Sequence, residues 1–185
     1  MKRELKLYMA ILGCTPPQRL TEQHDIFFGI GTSIKDLVPD MYAFWPDGGR
    51  LHVDSWREIT YVDGYKINVI PKTEQTNSNN LFFLNLGGYK PGDLEEYHYK
   101  ILTVAPTIAT ASKKAMKTTF FKHFGFKGAE SHIDDKYVLD VDDIHNVANI
   151  LASQLKEKYS LHITKTAAIH KEDELHVGYL KLKEI

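Results

Sequence analysis

Histidines and carboxylates stand two residues apart in this chain, in the pairs Glu22-x-His24 and His52-x-Asp54. Residues two apart on a β-strand point to the same face, about 6.6 Å from each other along the backbone. If the two strands are neighbours, two carboxylates and two imidazoles gather on one surface. Such a set could bind zinc, manganese or iron, or it could hold a histidine as a general base oriented by a carboxylate.

The same pairs return in the second half of the chain, as Glu96-x-His98 and His132-x-Asp134. These short patterns lack the fixed spacing of a known metal motif, so the sequence leaves open whether a metal is bound and which residues are catalytic. The interpretation we favour is structural, because the same side chains could cap a loop or tie strand ends to backbone groups. The candidate ligand-binding or metal residues are Glu22, His24, His52, Asp54, Glu96, His98, His132 and Asp134.

The recurrence belongs to a longer internal repeat. Six residues return in order at an offset of 74 positions, and the His-x-Asp pair returns at an offset of 80. A tandem duplication is the interpretation we favour. The matched residues are Leu12, Gly13, Pro17, Leu20, Glu22 and His24, which return as Leu86, Gly87, Pro91, Leu94, Glu96 and His98.

Each copy is predicted to run strand, strand, helix, strand. The apolar runs 5–12 and 81–86 lack clean alternation, which predicts central strands buried on both faces. Gly/Pro loops follow, and then second strands over 22–31 and 96–105. Helices are predicted to begin at the N-cap residues Ser33 and Thr107, and Pro39 must kink or split the first of them. The third strands carry the two His-x-Asp pairs.

The segments after the third strands differ between the copies. The first copy continues through an alternating strand, 65–70, into a polar linker. The second copy is predicted to open a helix at Asp142, followed by a pair of strands over 161–166 and 175–182. The predicted domain organisation is a first repeat at 1–72, a linker at 73–80, a second repeat at 81–150, and a C-terminal helix end with a strand pair at 151–185 that packs on the repeats.

These elements predict an α+β fold. The internal duplication of a strand-strand-helix-strand unit would give the molecule a pseudo-twofold, and the C-terminal helix plus strand pair would complete the sheet.

Charge and cysteine content exclude several kinds of partner and site. Lys and Arg number 23 against 24 Asp and Glu, so no global field attracts nucleic acid or an anionic membrane. A single cysteine excludes an internal disulfide and a multi-cysteine metal site, which favours a reducing, cytoplasmic location. The apolar run that precedes Cys14 resembles a lipoprotein signal, but the second copy carries the same run in mid-chain, where no signal can act.

Cys14 itself has two interpretations. It could be a nucleophile assisted by His24 across the loop, or a small loop residue, and we favour the second.

The pattern Leu-Gly-Gly-x-x-Pro-Gly-x-Leu-Glu-x-x-His over 86–98, with His-Ile-Asp-Asp at 132–135, resembles a small bacterial family known as domain of unknown function 1543. The resemblance covers about 5–70 and 80–150, and it implies a two-copy member of bacterial origin. Cys14 stands where the family pattern has a second glycine, and Tyr99 follows the second histidine, so two sites of this kind would not be equivalent. The resemblance implies no activity, substrate or cofactor.

Three functions are compatible with these observations. The first is a module that binds a small molecule or takes part in assembly, with no catalysis. The second is a metal-assisted or acid-base hydrolase that uses the paired Glu-x-His and His-x-Asp sets. The third is a structural partner in a larger complex, such as a homo-oligomer, for which an exposed apolar patch is expected.

Overall fold

The computed structural model describes residues 4–72, 78–89, 92–118, 140–167, 171 and 173–185. The chain divides into two compact units. Unit 1 consists of Met1–Gln75 together with Ile150–Ile185, and unit 2 consists of Thr76–Asn149. Unit 1 is therefore discontinuous in sequence, because its last strands come from the far end of the chain.

The main sheet of unit 1 has four strands, which are β1 (Lys6–Cys14), β2 (Gln23–Gly31), β3 (His52–Ile59) and β10 (His176–Lys181). They lie in the order β10-β3-β1-β2, and each is antiparallel to its neighbours. The central position predicted for the first apolar run is confirmed, because β1 lies between β2 and β3.

One face of this sheet packs on short helices. The β1 residues Tyr8, Ala10 and Leu12 are buried against Leu37 and Met41, because alternate residues of a strand point to one side. β1 also contacts the strand Tyr65–Pro71. A second sheet, in the order β4-β5-β9, contains β4 (Tyr61–Val62), β5 (Tyr65–Pro71) and β9 (Tyr159–Lys165).

Pro39 splits the first helical segment, as predicted. A 3-10 helix, Ile34–Leu37, is followed by α1 (Val38–Phe44), and Pro39 lies in the first turn of α1, where its missing N–H leaves no unmade hydrogen bond. A carboxylate closes the start of the segment. One oxygen of Asp36 accepts hydrogen bonds from the Thr32 and Ser33 amides at 2.9 and 3.1 Å and from the Thr32 hydroxyl at 2.6 Å.

Unit 2 has a three-stranded sheet in the order β7-β6-β8. Its strands are β6 (Asn80–Tyr89), β7 (Glu96–Ala105) and β8 (Asp140–Asn146), and α2 (Ile108–Thr118) follows β7. The second strand matches its predicted bounds, and the helix begins one residue after the predicted N-cap. Phe82, Leu84 and Leu86 pack with Ala111 and Ala115 of α2.

The two main sheets have a register shift at equivalent positions. In unit 1 the pairing of β1 with β3 shifts between Ile11 and Leu12, and in unit 2 the pairing of β6 with β8 shifts between Asn85 and Leu86. These positions are related by the same offset of 74 that relates the sequence motifs. A shared ancestry of the two units and a pseudo-twofold between them stay predictions.

Two predictions about the second half of the chain are wrong. Residue 142 does not open a helix, because β8 continues to Asn146 and a short helix, Val147–Ile150, begins after it. Ile144 packs in the core of unit 2 from a strand paired with β6, so tertiary pairing overrides a spacing of apolar residues that also fits a helix.

The final strands exist, but in the described residues they are not a pair. β9 pairs with β5 and β10 pairs with β3, so each extends a sheet of unit 1. A carboxylate fastens the segment before β10. Asp173 accepts hydrogen bonds from the Thr60 amide at 2.8 Å, from the Thr60 hydroxyl, and from the Tyr61 amide at 3.2 Å.

Among the helices of the described ranges, none combines the length and the apolar character that crossing a membrane requires.

Candidate functional site

Gly13 is the backbone centre of the candidate site in unit 1. On β1 it pairs with His24 of β2 on one side and with His52 of β3 on the other. Since laterally paired residues share a face of the sheet, both imidazoles project from the same surface beside this glycine. A Cβ at position 13 would lie 2.3 Å from His52 Nε2 and 3.1 Å from Asp54 Oδ2, so the absence of a side chain makes the space in which these groups meet.

A β-bulge in β3 supplies the second carboxylate. Val53 pairs with Leu12 and Ser55 pairs with Ile11, which leaves Asp54 as the extra residue. Val53 and Trp56 both pack on the helix-covered core, although they are three residues apart. The bulge therefore keeps both apolar side chains in the core while Asp54 stays on the face of His52.

Four side chains converge at this position, and we call them the Gly13 site: Glu22, His24, His52 and Asp54. Asp54 bridges the imidazoles, with Oδ2 at 3.0 Å from His24 Nε2 and Oδ1 at 3.2 Å from His52 Nε2. Glu22 also bridges them, with Oε1 at 3.2 Å from His52 Nε2 and Oε2 at 3.6 Å from His24 Nε2. The arrangement predicted for the first copy is thus present in the folded chain.

The four side chains differ in exposure. The side chain of His52 is 2% exposed, whereas those of Glu22 and His24 are 44% exposed and that of Asp54 is 33% exposed. In the Gly13 site, His52 is therefore buried, whereas Glu22, His24 and Asp54 are accessible to solvent. A small ligand could reach it without displacing the core.

His52 is the group whose polar atoms are least satisfied. Both ring nitrogens are buried without a hydrogen-bond partner among the described residues, although two carboxylate oxygens lie 3.2 Å from Nε2. Those oxygens do not lie in the direction that a ring N–H requires. A buried polar group left unpaired costs about 1–3 kcal/mol, so these two nitrogens are the atoms of the site that would gain most from a further partner.

Glu22, His24 and His52 also have the spacing of metal ligands. One ligand atom from each of them can be chosen so that all three lie within 4.8 Å of one another. The described residues hold no other such group of three. Two imidazoles with a carboxylate are a ligand set for zinc and for iron or manganese, and three protein ligands leave a coordination position open.

Cys14 is not part of this face. It is fully buried in the helix-side core, and Gly48 lies close enough that a Cβ there would be 3.3 Å from its Sγ. Burial, and secondarily the charge of Glu22, raises the pKa of the thiol, which disfavours the thiolate that a nucleophile needs. The interpretation as a small residue agrees with this burial, although Cys14 ends β1 rather than lying in a loop.

The candidates of the second copy are only partly described. His98 pairs with Gly87, as His24 pairs with Gly13, and its Nε2 lies 4.0 Å from Glu96 Oε2. His132 and Asp134 lie outside the described residues. The strand that pairs with Gly87 on the other side is β8, and it places Asp140 at the register position that His52 occupies in unit 1.

Two residues that contact the side chains of the Gly13 site are not singled out by the sequence patterns. A Gly/Pro loop directly after residue 12 would put Gly13 in a turn, yet Gly13 lies inside β1, and its recurrence as Gly87 is the signal in the sequence. Tyr179 is the other, since its ring stacks on that of His52 with centroids 4.2 Å apart. Nothing in the sequence connects two residues so far apart in the chain.

Comparisons with known proteins identify a family pattern and a fold. The family model described as Domain of Unknown Function (DUF1543) matches residues 19–69, a range that includes all four side chains of the Gly13 site. This confirms the resemblance for the first copy, and the two-copy organisation stays a prediction. A comparison with curated proteins finds no match.

The chain is also similar to a solved structure, the crystal structure of a protein Il1583 from Idiomarina loihiensis. The TM-score is 0.68 at 24% sequence identity, and the alignment covers 97% of this chain and 99% of that one. At this identity the similarity shows the fold alone.

Proposed function

We propose that unit 1 binds a divalent transition-metal ion at the Gly13 site, and that the ion with its open coordination position binds a small ligand. Glu22, His24 and His52 are the protein ligands, and Asp54 is a further carboxylate beside them. The observation that carries the proposal is the convergence of two imidazoles and a carboxylate, with ligand atoms within 4.8 Å of one another, over a glycine.

The charges of the site favour a cation. Among the described residues, the ion-pair partners of Glu22 and Asp54 are the two histidines, and no Lys or Arg pairs with either carboxylate. Two negative groups without a fixed positive partner raise the local affinity for a divalent ion. A metal at His52 Nε2 would also satisfy a buried nitrogen for which the described part of the chain provides no hydrogen-bond partner.

The ligand types favour a particular class of ion. Imidazole suits zinc, iron, copper and nickel, whereas magnesium and calcium prefer sites made of oxygen atoms alone. Zinc sites with three protein ligands keep the fourth position for water or for another small ligand. The 44% exposure of Glu22 and His24 supports access to that position from solvent.

Metal titration of the protein tests this proposal. We would remove metal with a chelator, add Zn²⁺, Mn²⁺ or Ni²⁺, and measure stoichiometry and affinity by calorimetry, with elemental analysis of the reloaded protein. We expect one Zn²⁺ per chain and a zinc-dependent rise in Tm, because an ion that binds only the folded state stabilises it.

Histidine variants test whether zinc binds at the Gly13 site or at another histidine. His24→Ala and His52→Ala should each abolish tight zinc binding. The matched control is His162→Ala, which removes a half-buried histidine of β9 in the second sheet of unit 1 and should leave the stoichiometry unchanged. An absence of binding for all three ions, or an equal loss in His162→Ala, would contradict the proposal.

A second candidate function is acid-base hydrolysis without a metal. It is favoured by the 3.0 Å contact between Asp54 Oδ2 and His24 Nε2, in which a carboxylate could orient a histidine as general base. Chelator-treated protein would then hydrolyse simple esters or phosphoesters, and Asp54→Asn would lose that activity. Activity that appears only with added metal would instead support a metal-assisted hydrolase.

The proposed setting of this function is cytoplasmic and free of nucleic acid. The balanced charge and the single cysteine support it. Assembly into a homo-oligomer is a further part of the proposal, and sedimentation of the purified chain with and without zinc would test it.

A further inference from the structure

Tyr179 is the aromatic neighbour of the buried histidine in the Gly13 site. Its ring lies over that of His52 with centroids 4.2 Å apart and an angle of 30° between the planes. The residue is 63% exposed, whereas His52 is 2% exposed. One face of the tyrosine ring thus covers the imidazole, and much of its remaining surface is open to solvent.

The backbone of β10 is shaped to place this ring. Val177 pairs with Ser55 and Leu180 pairs with Val53, so Gly178 and Tyr179 stand together opposite the bulged Asp54. Gly178 has φ of 149°, in the region that side-chain-bearing residues rarely adopt. The irregularity of β10 therefore lies beside the bulge of β3, and the two together bring Tyr179 onto His52.

Metal-bound histidines almost always donate the other ring N–H to a carboxylate, a carbonyl or water, which fixes the tautomer and the ring plane. Among the described residues, no protein group makes that hydrogen bond with His52. The contact that the structure shows on the face of this ring is the stack with Tyr179.

We infer that Tyr179 is a positioning residue, whose stacked ring holds the imidazole of His52 with Nε2 directed into the Gly13 site. This inference rests on the proposed metal binding for its consequence, although the orientation of the ring can be measured without metal. Stacking acts through the face of the ring, so the hydroxyl is not required. It also covers one face of the buried imidazole and so limits its rotation about χ2.

Substitutions at position 179 test the inference through zinc affinity. Tyr179→Ala removes both cover and stack, and it should weaken zinc binding about 10- to 100-fold, the range found when a ligand loses its orienting partner. Tyr179→Leu keeps an apolar cover without a π-face and should weaken binding too, which provides a second variant if the alanine variant fails to fold. Tyr179→Phe keeps the ring and should bind zinc as the natural protein does.

The matched control is Tyr42→Ala, which removes a tyrosine that is 44% exposed on α1, on the helix-covered side of the sheet. It should leave zinc affinity unchanged. If Tyr179→Ala or Tyr179→Leu binds zinc as tightly as the natural protein, or if Tyr179→Phe is as weak as they are, the inference is overturned while the metal site stands.

A second measurement is made on metal-free protein. The reporter is the ring proton on Cε1 of His52, because a Cβ at position 13 would lie 2.8 Å from that carbon and the Gly13 α-protons are therefore close to it. The signals of His52 are identified as those missing from His52→Gln. We expect NOEs between this ring proton and the Gly13 α-protons in the natural protein and in Tyr179→Phe, and their loss in Tyr179→Leu. If no ion binds the natural protein, the proposed function fails, and these NOEs still decide the role of Tyr179: unchanged NOEs in Tyr179→Leu would refute it.

Discussion

At the scale of single residues, Gly13 determines whether the four side chains can meet. Its φ is not in the left-handed region, so a larger residue is excluded by space and not by backbone conformation. The built Cβ lies 2.3 Å from Nε2 and 2.8 Å from Cε1 of His52, and that ring is buried with little freedom to withdraw. Any side chain at position 13 must displace the histidine.

We therefore predict a strong coupling between Gly13→Ala and His52→Ala. Alone, Gly13→Ala should destabilise the metal-free protein by about 1–3 kcal/mol, as overpacking of a buried site does. In the His52→Ala background the clash with the ring is absent and the 3.1 Å approach to Asp54 Oδ2 remains. That carboxylate is partly exposed and can move, so the same change should then be close to neutral, since loss of unfolded-state entropy favours alanine by about 0.4–1 kcal/mol. Urea unfolding of the natural protein, the two single variants and the double variant measures this double-mutant cycle. Additive changes in the free energy of unfolding would contradict the prediction, because they would show that position 13 tolerates a methyl group beside the imidazole.

At the scale of secondary-structure elements, hydrogen bonds from the polypeptide to single carboxylates fix the ends of segments. Asp36 closes the loop between β2 and the 3-10 helix, and Asp173 holds the segment that leads into β10. Hydrogen bonds from the Thr32 hydroxyl and amide, and then from Ser33, hold the pKa of Asp36 below its ordinary value of 3.8. The contribution of these hydrogen bonds to stability therefore requires the ionised carboxylate of Asp36.

The sign of the pH dependence at Asp36 follows from the lowered pKa. The ionised carboxylate adds stability above the unfolded-state pKa of 3.8, and this contribution is lost as the pH falls through the lower folded-state value. We predict that Asp36→Asn is less stable than the natural protein at neutral pH and that the difference disappears in acid. Thr32→Val, which removes one of the three donors, should give an intermediate profile. Denaturation across a pH series measures both variants, and a difference that persists in acid would contradict this account.

Elements also show how far the sequence alone could predict the structure. The break at Pro39 and the helix start after Thr107 were predicted correctly, because a proline and an N-cap residue act on the backbone next to them in the chain. The prediction of a helix that begins at residue 142 was wrong, because this segment pairs with β6 and is a strand, β8. The Gly13 site was predicted in unit 1 because its strands are adjacent, whereas the stack of Tyr179 on His52 depends on a pairing between β3 and β10 that no local pattern encodes.

At the scale of the whole molecule, the end of the chain completes unit 1. Leu182 is 2% exposed in the helix-side core, and Leu180 and Ile185 pack against the same cluster. Residues 176–185 therefore contribute both a strand and core side chains to a unit that begins with β1. Unit 2 takes its residues from one continuous stretch, Thr76–Asn149.

We predict that Leu182→Ala destabilises unit 1 alone. Loss of a buried leucine side chain costs about 2–5 kcal/mol, and its contacts lie within the core of unit 1. Hydrogen exchange should show lower protection of the amides in β1 and β3, with β6 unchanged. The neighbouring exposed variant Lys183→Ala is the control, and an equal loss of protection in β6 would show that the units do not open separately.

The discontinuity of unit 1 also has a consequence for synthesis on the ribosome. β3 leaves the ribosome more than a hundred residues before β10, which pairs with it, and at about 5–20 residues per second this gap lasts on the order of ten seconds. Unit 2 can fold during this interval, whereas unit 1 waits with one edge of β3 unpaired and His52 without its aromatic cover. An unpaired strand edge is a template for aggregation, so nascent chains are most at risk between the synthesis of Ile59 and that of His176.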